Sequence, residues 1–173
     1  MKTRILLAAL LGSLLALVPG PAHAKGVKDA SLTGPGLDQP IEVGAGGHTG
    51  KPTAEPRAND LAEQAGLYDG LYGSTTGRLA PDPPPGDLGP RYVATYRLYA
   101  GEEVETVEAR QELYPFAEGG AVTYTLPGQR PFGTEEPSPG GWFAAGAALT
   151  DLLVAAGVPV PAGAVVSPPR LAG

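Results

Sequence analysis

Polar and apolar residues alternate most regularly between Arg91 and Tyr99. Tyr92, Ala94, Tyr96 and Leu98 share one face there, and Arg91, Thr95 and Arg97 share the other. This two-residue period predicts a half-buried strand. Ala100-Gly101-Glu102 then reads as a turn into a second strand over 103–116, closed by Pro115 and the Gly119-Gly120 pair, and 122–126 supplies a third. Nearer the N-terminus, 31–33 and 41–43 read as two short strands joined by the turn residues Gly34-Pro35-Gly36-Leu37-Asp38.

The period changes after residue 58. Asn59 or Asp60 offers a helix cap, Glu63 completes a capping box with Asp60, and Leu61, Ala65, Tyr68 and Tyr72 fall on one helical face. Gly66 and Gly70 predict an end or kink near Gly66. A second helix over 146–156 puts Leu149, Leu152, Leu153 and Ala156 on one stripe before Gly157 and Pro159 stop it. Between these elements, 78–90 carries Pro81, Pro83, Pro84 and Pro85 and reads as a stiff connector, because proline donates no amide hydrogen bond to a ladder. The pattern predicts an α+β fold: a small antiparallel sheet of three to five strands, one or two packed helices and long Pro/Gly loops. One domain over 25–157 contains a flexible loop at 44–58, and a Pro-rich disordered tail follows at 158–173.

Composition changes this picture in two ways. Gly 26 and Pro 20 together make about a quarter of the 173 residues, which explains the long loops. Nine of the eleven aromatic residues lie between 92 and 143, which predicts that rings furnish the core of a chain otherwise poor in bulky side chains.

The first 24 residues stand apart. Lys2 and Arg4 precede a fourteen-residue apolar run from Ile5 to Val18, and Ala22-His23-Ala24 supplies small residues where a signal peptidase reads them. The segment reads as a secretory signal cut near Ala24. Its apolar run is shorter than the ~20 residues that span a bilayer, so no stable transmembrane insertion is expected after cleavage. Losing Lys2 and Arg4 takes the net charge from −6 to −8, which disfavours nucleic acid as a partner. Cysteine is absent, excluding disulfides, thiolate zinc sites and thiol nucleophiles. The expected product is secreted, either free or wall-associated, and monomeric.

Few residues invite chemistry. The stretch Gly44-Ala45-Gly46-Gly47-His48-Thr49-Gly50-Lys51 fails as a phosphate loop, because Ala45 stands where glycine is needed and Pro52 where a hydroxyl should hold magnesium. His48 is the one histidine left after cleavage, so a metal site would lack its usual imidazole pair, and no serine sits in a Gly-x-Ser-x-Gly elbow. Glu102, Glu103, Glu105 and Glu108 cluster on one stretch. As strand neighbours Glu103 and Glu105 would lie about 7 Å apart, a spacing that inverting glycosidases use, although adjacent residues of an exposed strand form no cleft. No cofactor or metal is implied. The aromatic residues offer a different surface: Tyr96, Tyr99, Tyr114, Trp142 and Phe143 are candidates for a stacking platform that binds sugar or peptide.

Five stretches resemble uncharacterised exported proteins of high-GC actinobacteria. They are Leu32-Thr33-Gly34-Pro35-Gly36-Leu37, Leu61-Ala62-Glu63-Gln64-Ala65-Gly66-Leu67-Tyr68, Gly86-Asp87-Leu88-Gly89-Pro90-Arg91-Tyr92, Gln111-Glu112-Leu113-Tyr114-Pro115-Phe116-Ala117 and Gly140-Gly141-Trp142-Phe143. The resemblance implies export and carries no activity or catalytic residue with it. The expected function is a secreted, non-catalytic binding or structural module. The alternatives are a secreted hydrolase working through the Glu102–Glu108 cluster or His48, and an extracellular protease inhibitor presenting 128–141 as a rigid loop.

Overall fold

The computed structural model describes residues 26–44, 57–73, 79–99, 106–131 and 136–164. In chain order the elements are β1 (Val27–Thr33), β2 (Ile41–Val43), α1 (Ala58–Gln64), α2 (Leu67–Tyr72), β3 (Leu79–Ala80), β4 (Tyr92–Tyr99), β5 (Thr106–Tyr114), β6 (Val122–Thr125), β7 (Gly141–Ala144) and α3 (Ala147–Ala155). The strands form one sheet in the order β2-β1-β4-β5-β6-β7-β3, with every neighbouring pair antiparallel. The fold is therefore α+β, as the pattern predicts, but the described residues form seven strands instead of three to five and three helices instead of one or two.

Both extra strands come from short segments without a clear alternation. Residues 78–90 were expected to be connector throughout, yet Leu79 and Ala80 pair with Phe143 and Trp142 before the first proline of the run. They form the sheet's edge, where the loss of later amide donors costs nothing. Gly141–Ala144 makes a strand because its far side is already supplied by β6, through Thr123↔Phe143 and Tyr124↔Trp142.

Strand alternation sends Leu32, Tyr92, Ala94, Tyr96, Leu98, Ala109, Leu113 and Phe143 to one face, all buried. The helices cover that face with Leu61, Ala62, Ala65, Leu67, Leu71, Leu149 and Leu153, also buried. Rings thus share the core with leucine and alanine, and the small residues let helix backbone approach the strands closely. At Gly70 an added Cβ would sit 2.1 Å from Thr125 Oγ1. At Gly66, whose φ is 64°, it would sit 2.5 Å from the Phe143 ring.

Gly66 also redirects the helical path. The single stripe Leu61, Ala65, Tyr68 and Tyr72 is interrupted there: Leu61 and Ala65 are buried, whereas Tyr72 is 52% exposed. The expected capping box does not form. Arg57 is the N-cap of α1 and no side chain caps the helix. The Asn59 carboxamide oxygen instead accepts from the Val27 amide at 2.7 Å, fixing α1 to the start of β1. Val158 is buried and its amide donates to the Leu153 carbonyl at 2.9 Å, whereas Val160 is exposed. Residues 165–173 and the loop residues 45–56 lie outside the described residues.

Candidate functional site

With one face buried under helices, the opposite face of the sheet must carry the alternate side chains. On β5 these are Thr106, Glu108, Arg110, Glu112 and Tyr114, and on β6 they are Val122 and Tyr124. Register then builds a row: Glu112 is opposite Tyr124, Tyr124 is opposite Trp142, and Trp142 is opposite Ala80. The Trp142 ring centroid lies 4.8 Å from that of Tyr124 and 5.5 Å from that of Tyr114, with planes inclined by 34° and 35°. Tilted contacts of this kind suit the quadrupoles of aromatic rings and hold the indole in one orientation. Tyr114 is buried beneath the cluster, while Tyr124 and Trp142 are half-buried.

A polar group adjoins the rings. Glu112 accepts from Arg91 Nη1 at 2.9 Å through one carboxylate oxygen and from the Tyr114 hydroxyl at 2.7 Å through the other. Burial, and then this hydrogen bond to Glu112, push the Tyr114 phenol up to about 12. Both oxygens of Glu112 are therefore oriented by fixed donors. At the other end of the same face Arg97 donates to Asp29, with Nη2 2.7 Å from Oδ2, and Glu108 pairs with Arg110 at 3.9 Å.

The residues suggested by sequence divide between the two faces. Tyr114 and Trp142 come together on the open face. Tyr96 is fully buried and Phe143 is 2% exposed, both on the helix-covered face, so neither ring can meet a ligand. Their strand positions have the parity of the core, so the structure sets them on the opposite face from Tyr114 and Trp142. Tyr99 is on the open face but pairs with Thr106, eight residues along β5 from Tyr114, or roughly 25 Å. It belongs to a different part of the surface. His48, Glu102, Glu103 and Glu105 lie outside the described residues. Glu108 is exposed and engaged with Arg110.

Sequence reasoning missed Tyr124, Glu112 and Arg91 as site residues. The alternation of 122–126 already puts Tyr124 out of phase with the buried Thr123 and Thr125, but only the pairing of β6 with β7 sets it beside Trp142.

The described residues also form concave regions near this face and at the start of α3. One, of about 540 Å³, lies between the 115–121 turn and the start of α3, with Asp87, Glu118 and Asp151 among its walls. Another, of about 400 Å³, runs past Tyr124 between Leu79, Pro81, Pro127 and Pro139. Among the described residues no three His, Cys, Asp or Glu side chains gather as metal ligands. The loop that follows β6 is clamped at its base, where the Gly128 amide donates to the Ser138 carbonyl at 2.9 Å and the Ser138 amide to the Gln129 carbonyl at 2.7 Å. The Gln129 carboxamide also pairs with both the amide and the carbonyl of Arg110, continuing the ladder where β6 ends. Comparison with protein-family models, curated proteins and solved structures found no match.

Proposed function

We propose that this chain is an exported, non-catalytic binding module of the cell envelope or extracellular space, and that the open face around Trp142 is its recognition surface. One observation carries the reading. Trp142 is half-buried and in ring contact with both Tyr114 and Tyr124, and those tyrosines adjoin the Glu112 carboxylate, which accepts from Arg91 and Tyr114. A ring cluster that existed only to fill a core would be covered; this one leaves aromatic area at the surface next to polar groups, the composition of a binding hot spot. Export rests on the leader pattern at residues 1–24. The mature protein begins at Lys25 and works as a monomer.

The experiment is co-sedimentation of the mature chain with envelope fragments from its own source. Tyr124→Ala and Trp142→Ala should each weaken retention about tenfold or more, the loss typical of a central aromatic contact. Retention unchanged in both variants, with folding intact by circular dichroism, would overturn the proposal. N-terminal sequencing of protein recovered from the medium or wall checks export, with Lys25 as the expected first residue.

A further inference from the structure

Glu112, Tyr124 and Trp142 stand in one row across β5, β6 and β7. With neighbouring strands about 4.8 Å apart, the row is roughly 10 Å long, the length of two linked sugar rings. Its two ends offer different chemistry. Tyr124 and Trp142 are both half-buried and so leave part of their aromatic surface open to apolar C–H groups. Glu112 receives one hydrogen bond on each oxygen, which leaves a further lone pair on each for O–H donors. The Arg91 side chain is 59% exposed and keeps N–H groups turned to solvent beyond the one given to Glu112.

Charge and hydrogen-bond polarity select among the ligands that could lie here. The Arg91–Glu112 pair is neutral as a unit, and the chain as a whole carries −6, so an anionic polymer finds no surplus of positive charge. A proline-rich peptide would stack on the rings but turn mainly carbonyl acceptors toward the Glu112 carboxylate, which repels them. A neutral saccharide matches both ends: its C–H faces lie on Tyr124 and Trp142, and its hydroxyls donate to Glu112 and accept from Arg91. Resting on the reading of this face as the recognition surface, we infer that its ligand is a neutral polysaccharide, bound with consecutive sugar rings along the Glu112–Tyr124–Trp142 row.

Trp142 is the chain's one tryptophan, so emission excited at the red edge of the indole band, beyond tyrosine absorption, reports on this site. The mature chain is titrated with a soluble neutral glucan, a mannan and a galactan, with alginate as an anionic control and a proline-rich decapeptide as a peptide control. At least one neutral saccharide should give a saturable shift of Trp142 emission, and the two controls none. Tyr124→Ala should raise the Kd about tenfold or more and Glu112→Gln several-fold, both with wild-type circular dichroism. If the peptide or alginate saturates the signal and no neutral saccharide does, the ligand class is wrong while the face remains the recognition surface. If no probe shifts the emission, and envelope retention is also indifferent to Tyr124→Ala and Trp142→Ala, the face reading falls with it. A concentration-dependent dimer that Trp142→Ala abolishes would show that a second copy occupies the face, which also overturns the inference.

Discussion

Gln111 is fully buried in the middle of β5 and ties the sheet to the helices. The two N–H groups of its amide nitrogen are shared among the Ala65 carbonyl at 2.9 Å and the hydroxyls of Thr123 and Thr125 at 3.1 Å, while its oxygen accepts from the Tyr96 hydroxyl at 3.2 Å. Among the described residues no buried side-chain polar atom lacks a partner. Gln111→Leu would strand the Tyr96 hydroxyl without its acceptor and should cost about 3 kcal/mol in urea unfolding. Adding Tyr96→Phe should recover part of that loss, because an apolar pair leaves no orphaned donor; a double variant no more stable than Gln111→Leu alone would contradict the network. Burial also raises the phenols of Tyr92, Tyr96 and Tyr114 above the usual 10.0. The native state therefore keeps protons that the unfolded chain gives up above pH 10. Stability should be complete below that pH and fall as pH rises beyond it. Urea midpoints measured between pH 8 and pH 11.5 check this, and a flat profile would count against it.

The elements differ in how far the sequence could show them. β4 was legible because, Val93 and Tyr99 apart, its residues alternate, and one parity is buried while the other is partly or wholly exposed. The β1–β2 hairpin was legible from its turn residues, and the Leu37 amide does close that turn on the Gly34 carbonyl at 3.3 Å. α3 was legible from its leucines, of which Leu149 and Leu153 are buried. β3 and β7 were not, since two or four residues carry no period and their pairing depends on chain distant in sequence. The start of α1 was misjudged because Asn59 serves the Val27 amide instead of its own helix, a tertiary demand invisible to local rules. The same long-range pairing hid half of the candidate site: parity assigns Tyr124 to a face, but only β6–β7 register gives it Trp142 as a neighbour. Packing at element scale makes its own prediction. Leu153→Ala in α3 removes a fully buried side chain and should cost about 2–5 kcal/mol in urea unfolding. A loss below about 1 kcal/mol would mean that α3 is not packed on the core.

At the scale of the whole molecule, one sheet separates two tasks. Its helix-covered face supplies cohesion through leucine, alanine and the Gln111 network, and its open face displays the Arg97–Asp29 pair at one end and the rings with the Arg91–Glu112 pair at the other. Changes on the open face should therefore alter binding more than stability. Collisional quenching of Trp142 by acrylamide, in the mature chain alone and again with envelope fragments present, tests this division most directly. The account predicts an indole that acrylamide reaches in the free protein and that bound envelope material shields. Equal quenching in both conditions, with the protein demonstrably bound, would contradict it.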